Sequence, residues 1–71
     1  MANEVTVTET EFETRKNVAN LTVRLSNYHD YQLRVITDSI GNVYVWVDHR
    51  EPFTNWKKIA EFINGEERIV G

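Results

Sequence analysis

Two arginines and two aromatic side chains carry most of the chemistry that this 71-residue sequence could perform. In a β-hairpin, alternation would place Arg34 beside Trp46 and Ile36 beside Tyr44 on one side of the sheet, with Arg24 on the preceding strand. Guanidinium groups beside aromatic rings suit base stacking, phosphate contact or the anchoring of a protein partner. We call this side the outer face, and its candidate partner-binding residues are Arg24, Arg34, Ile36, Tyr44 and Trp46.

The outer face has a second interpretation that requires no partner. Arg34 lying over the Trp46 ring would stabilise the hairpin by roughly 0.5–1 kcal/mol as a cation–π pair. Against this, Trp46, Tyr44 and Ile36 together form a larger apolar patch than folding alone requires. Both interpretations stay open at this point.

Glutamates alternate along the N-terminal segment at positions 9, 11 and 13. Glu9, Glu11 and Glu13 would share one side of a strand, where they form a candidate acidic surface for a basic partner or an imitation of nucleic-acid phosphate. The alternative is an ordinary solvated strand face, which is the commoner role of such a run.

Catalytic and metal-binding chemistry finds little support. The chain has no cysteine and only two histidines, His29 and His49, which are too few for a structural zinc site. No serine is placed with a histidine and a carboxylate as nucleophilic catalysis requires. We therefore expect no enzyme activity, no metal and no cofactor.

The strongest structural signal is the turn at residues 38–41, Asp-Ser-Ile-Gly. Asp38 can accept hydrogen bonds from the backbone of a type I turn, and Gly41 can adopt the positive φ of the bulge that closes a three-residue loop. Asp38 then pairs with Asn42. This register predicts four pairs on one side of the sheet: Thr37 with Val43, Val35 with Val45, Leu33 with Val47 and Tyr31 with His49.

A third strand precedes the hairpin, with apolar residues at every second position from Ala19 to Leu25. A turn through Asn27–His29 predicts Val23 beside Leu33 and Leu21 beside Val35. The side of the sheet opposite the outer face is then apolar, and we call it the apolar face. Its predicted members are Leu21, Val23, Leu33, Val35, Val45 and Val47.

An apolar face needs a cover, and the C-terminal segment is predicted to supply it. Apolar residues from Trp56 to Ile63 follow the i, i+3, i+4, i+7 spacing of an amphipathic helix, with Ile59 and Ala60 between them. Pro52 suits the first helical turn, Thr54 is an alternative N-cap, and Gly65 suits the C′ position.

The N-terminal segment Val5–Phe12 has the composition of a strand, but Val7 and Phe12 have opposite parity. Either a bulge near Thr8–Thr10 switches the face, or only half of the segment is ordered. Residues 66–71 are expected to be a tail or a short added strand.

The sequence thus predicts an α+β fold in one domain, residues 1–71. It would have three or four antiparallel strands and one C-terminal helix on one face, with residues 1–16 as the less certain strand or partly ordered arm. This outline is similar to the DNA-binding domains of some integrases and plant transcription factors, a likeness of architecture over residues 18–64 with no shared motif. A chain of 71 residues is near the lower limit for a self-supporting core, and a homodimer would add support.

Charge favours a protein partner over nucleic acid. The net charge is −3, and the first fourteen residues alone contribute −4, whereas nucleic-acid affinity rests on neutralising phosphates. We expect an inhibitor-type or adaptor-type interaction module that uses the outer face and the acidic strand. The alternative is a nucleic-acid-binding domain with an arginine and aromatic sheet face. Without an apolar leader or spanning segment, we expect a cytoplasmic protein with no membrane association.

Overall fold

The computed structural model describes residues 4–68, which form one sheet of six antiparallel strands. The strands are β1 (Val7–Arg15), β2 (Val18–Leu25), β3 (Asp30–Thr37), β4 (Val43–Arg50), β5 (Lys57–Ile63) and β6 (Glu66–Arg68). Their order in the sheet is their order in the sequence, so every neighbouring pair is joined by a hairpin or a short loop. The α+β prediction is wrong, because the described part of the chain is all-β.

The central hairpin of β3 and β4 confirms the predicted register, including the pairs of Leu33 with Val47 and of Val35 with Val45. The Asp38 carboxylate accepts hydrogen bonds from the backbone N–H groups of Ile40 and Asn42, each at 3.0 Å. Gly41 has a φ of 97°. Because these contacts close a three-residue loop, they fix which side chains share a face.

The register of β2 against β3 differs from the prediction by two residues. Val23 lies opposite Tyr31, and Leu21 lies opposite Leu33. The loop spans residues 26–28, and Tyr28 rather than a glycine adopts the positive φ, at 69°. A shift of two residues preserves the side of the sheet on which each side chain lies, so the apolar face remains intact.

The predicted C-terminal helix is wrong, since its residues form β5 paired to the open edge of β4. Asn64 and Gly65 have φ values of 52° and 86°. Positive φ at both positions is the geometry of a two-residue type I′ turn, for which Asn-Gly is the preferred sequence. Pro52 and Thr54 lie in the loop between β4 and β5 instead of starting a helix.

The N-terminal segment confirms the bulge. The pairing of β1 with β2 shifts between Val7 and Glu9, and this shift brings Val7 and Phe12 to the same side, opposite Leu25 and Leu21. At the other edge of the sheet, β6 is the short added strand rather than a tail. Residues 69–71 of that predicted segment lie outside the described residues.

A single sheet without a covering layer has no core of its own. Within residues 4–68 no hydrophobic residue is fully buried, and the two buried residues are Asp30 and Asp48, with 4% and 6% of their surface exposed. The apolar face was predicted to pack under a helix. Without that helix it stays exposed, with Leu33 39% and Phe12 67% accessible to solvent.

Candidate functional site

The structure brings most of the predicted outer-face residues together. Arg34 is directly opposite Trp46, and Ile36 is directly opposite Tyr44, on β3 and β4. Arg24 lies further away than predicted, because the two-residue shift of β2 places it opposite Asp30. The outer face is therefore a compact group of four residues, with Arg24 at the end of the sheet that holds the β2–β3 loop.

Trp46 is half-buried beneath charged side chains. The Arg34 guanidinium lies 5.3 Å from the centre of its ring system, and the Lys58 ammonium lies 4.7 Å from it. The indole Nε1 donates a hydrogen bond of 2.8 Å to the Glu61 carboxylate. Trp46, which the sequence analysis proposed as a contact for a partner, therefore already has contacts within the chain at its Nε1 and over its ring.

The cations of the outer face are paired with carboxylates. Arg34 donates to Asp48 at 3.1 Å, and Arg24 donates to Asp30 at 3.0 Å. Arg50 also donates to Asp30 and stacks on Trp56, with its guanidinium 4.5 Å from the ring centre. Part of the positive charge and hydrogen-bonding capacity of each of these side chains is therefore already taken up within the sheet.

Asp30 is the hub of this network. Burial by itself would raise the pKa of the Asp30 carboxyl, but the hydrogen bonds from Arg50 and Arg24 outweigh it and hold the pKa below its usual range. The same hydrogen bond to Asp30 raises the pKa of Arg24. A buried carboxylate that accepts from two arginines stays ionised and rigid, so its role is to hold β2, β3 and β4 in register.

Tyr44 is tied to the hairpin loop. Its hydroxyl donates a hydrogen bond of 3.1 Å to the Asp38 carboxylate, which raises the pKa of Tyr44. The side-chain and backbone N–H groups of Asn42 also donate to Asp38 and lower the pKa of that carboxyl. Tyr44 therefore serves the turn that sets the hairpin register.

The acidic strand lies beside the arginines rather than apart from them. On β1, Glu9 is opposite Arg24 and forms an ion pair of 3.6 Å, while Glu11 and Glu13 face Thr22 and Asn20. All three glutamates project from the outer side of the sheet, at its β1 edge. This placement surrounds a cation with negative charge, which opposes the approach of nucleic-acid phosphate.

The side chains of the two histidines contact each other directly, without the separation that a shared metal ion would need. His29 Nδ1 and His49 Nε2 are 2.8 Å apart, and the His49 ring stacks on Tyr31 with a centroid distance of 4.6 Å. Two nitrogens bound to one tetrahedral zinc ion would be roughly 3.4 Å apart. No group of three potential ligands gathers anywhere in residues 4–68, so the pair is interpreted as a hydrogen-bonded contact.

The apolar face is the surface that the sequence did not predict as a binding site. Phe12 on β1 is 67% exposed, and Leu33 at the centre of β3 is 39% exposed. Val7 and Val43 extend the exposed apolar surface along β1 and β4. The Asn64–Gly65 pair is the sequence signal that could have revealed this surface, because it favours a β-hairpin turn over a helix end. A C-terminal segment that forms strands leaves the apolar face uncovered.

Two exposed aromatic residues lie in loops at one end of the sheet and were not predicted to have a role. Tyr28 and Phe53 both have positive φ values, 69° and 63°, which bulky side chains rarely adopt. A shallow cavity of about 340 Å³ lies between their loops, with Asp30, Arg50 and Pro52 among its lining residues. Three of its lining side chains, Arg24, Asp30 and Arg50, already bind one another.

Comparison with protein-family models, with curated proteins and with solved structures finds no match. Among the described residues there is also no helix with the length and hydropathy needed to pass through a lipid bilayer.

Proposed function

We propose that this chain is a non-catalytic interaction module that binds a protein partner through its apolar face. The observation that carries the proposal is the absence of any buried hydrophobic residue within residues 4–68, although apolar side chains such as Leu33, Val45 and Val47 share one side of the sheet. Stable domains bury such a face against a second layer. A partner that supplies this layer would bury the surface on which the sheet depends.

The apolar face is a better candidate surface than the outer face. Binding at the outer face competes with contacts that the sheet already makes, such as Arg34 with Asp48 and Lys58 with Trp46. Side chains such as Phe12 and Leu33 lose no polar contact when they are covered, and they gain roughly 25 cal/mol per Å² of apolar surface removed from water. The outer-face residues are the second candidate site for the same kind of partner.

A nucleic-acid ligand is less favoured by the charge arrangement. Arg24 and Arg50 share Asp30, and Glu9 adds a further negative charge beside Arg24. Because affinity for nucleic acid grows with the number of phosphates that free cations neutralise, paired arginines contribute little to it. The net charge of −3 adds a weak repulsion.

The test is affinity capture of partners from nuclease-treated extract of the cells that encode the chain, followed by titration of the purified partner. Leu33→Arg places a charge at the centre of the apolar face, and Gln32→Arg is the matched control on the outer side of the same strand. We expect Leu33→Arg to weaken binding at least about 30-fold, as the loss of a central anchor does. We expect Gln32→Arg and Trp46→Ala to bind normally.

The outcomes separate the candidate surfaces. Binding that survives Leu33→Arg but is lost in Trp46→Ala would move the site to the outer face. A ligand that nuclease removes, with affinity that falls steeply with salt, would instead identify nucleic acid. Circular dichroism of each variant confirms that loss of binding is not loss of the sheet.

A further inference from the structure

The structure points to a second copy of this chain as the partner on the apolar face. We propose that two sheets pack through their apolar faces into a closed two-fold dimer, a β-sandwich with one sheet from each copy. This inference rests on the proposed function and names the occupant of the same surface. Aligned sheets of this kind pack about 10 Å apart with interdigitating side chains.

The size of the face matches what a dimer needs. Six strands spaced about 4.8 Å apart, rising about 3.3 Å per residue, give a face of roughly 600 Å² in projection. Protruding side chains raise its accessible area towards the ~800 Å² per partner of a standard stable interface. The strand register places about twenty residues on this side, which is within the usual number per partner.

The distribution of charge suits self-association. An isologous interface places the same patch of two copies against itself, so a charged patch would repel its own copy. Among the residues that the strand register places on the apolar side, formal charges occur only at Lys57 and Glu67, near the margin of the sheet. The acidic residues Glu9, Glu11 and Glu13 project from the opposite side, away from the interface.

No other segment of this sequence can serve as the second layer. Residues 1–3 and 69–71 are too few to cover a sheet of six strands. The dimer would convert Leu33, Val45 and Val47 from half-exposed residues into a shared core.

The test is sedimentation equilibrium of the full chain over a wide concentration range, with the same two arginine variants. We expect a mass of twice 8.4 kDa for the unmodified protein and for Gln32→Arg. For Leu33→Arg we expect the dimer dissociation constant to rise at least about 30-fold. Because Leu33→Arg could unfold once it is monomeric, the second measurement uses the unmodified chain. Isotope-filtered NOEs in a mixed labelled and unlabelled sample should link Leu33 and Val47 methyl groups across copies.

Other results would overturn the dimer and also show whether the proposed function survives. A monomer that becomes folded only when a different protein is added would exclude the second copy and retain the apolar face as a binding surface. A monomer that is fully folded alone, and equally stable with Leu33→Arg, would remove both. A mass above that of two copies, or a dimer that Gln32→Arg but not Leu33→Arg dissociates, would exclude the closed apolar interface.

Discussion

Asp30 is the residue on which the charged side of the sheet depends. Asp30→Asn removes the charge that Arg24 and Arg50 share, so Arg50 loses its carboxylate partner and Arg24 keeps only its longer ion pair with Glu9. We expect a loss of about 1–2 kcal/mol in the free energy of unfolding, the lower part of the range for charged hydrogen bonds, because both arginines are partly exposed. Urea denaturation measures this loss, and Asp48→Asn, which removes a single arginine pair, should cost less.

The same residue predicts how stability depends on pH. The folded pKa of Asp30 is lowered, so its stabilising effect is fully present above the unfolded pKa of about 3.9 and is lost as the pH falls through the folded pKa. The unmodified protein should therefore lose more stability on acidification below about pH 4 than Asp30→Asn does. Parallel stability curves for the two proteins across this range would show that the ion pairs contribute nothing.

Phe53 holds a strained backbone conformation without packing in return. Its φ is 63° and its side chain is fully exposed, so folding gains little from the ring. Phe53→Gly should leave the domain as stable or stabilise it by up to about 1 kcal/mol, because glycine adopts positive φ without a steric cost. A thermal melt compares it with Thr54→Gly in the same loop, where we expect no gain. A clear destabilisation by Phe53→Gly would reveal packing of the ring that the structure does not show.

The Asn64–Gly65 turn favours a hairpin of β5 and β6 over a helix in the C-terminal segment. Both residues have positive φ, and no atom lies within 4 Å of where a Gly65 side chain would begin. Gly65→Val should therefore destabilise the hairpin of β5 and β6 through backbone strain alone, by roughly 1–3 kcal/mol. Hydrogen exchange should show faster exchange in β5 and β6, while the same substitution at Ser39, whose φ is not positive, should have a smaller effect.

The elements that the sequence predicts correctly are those set by local turn chemistry. Asp38 and Gly41 specify one loop geometry, so the register from Leu33 to Val47 follows without knowledge of the rest of the fold. The opposite parity of Val7 and Phe12 likewise predicts either a bulge or a segment that is only half ordered, and the structure has the bulge. These inferences succeed because each depends on a few adjacent residues.

The C-terminal prediction failed because two signals compete there. The spacing of Trp56, Ile59 and Ile63 matches a helix, but a bulge in the pairing between β4 and β5 allows the same spacing in a strand. Ile59, the residue that this bulge leaves without a partner on β4, is 47% exposed rather than buried under a helix. Four of the five predicted outer-face residues lie together because they share the hairpin register, whereas the shift of β2 moves Arg24 away from them. The ion pairs of these residues depend on carboxylates from other strands, whose register the sequence does not fully specify.

Residues 4–68 form one layer, and this limits what the sequence can predict about burial. Alternation assigns Leu33 and Val45 to the apolar side, and this assignment is correct. Whether that side is covered within one chain depends on a second element, which the structure replaces with more sheet. The sequence therefore predicted correctly which side of the sheet these residues face, but it did not predict whether that side is buried. An alternating pattern shows the orientation of side chains and does not show whether a second layer covers them.

The order of the strands has a further consequence for how the molecule opens. Each strand contacts only the strands before and after it in the sequence, so the network of contacts is linear, as in a repeat array. Opening should then progress inward from the two ends. We expect amide exchange to be fastest in β1 and β6 and slowest in β3 and β4. This difference between strands should become smaller as the protein concentration rises, because association stabilises all six strands. Uniform protection at every concentration would mean that the strands open as a single unit.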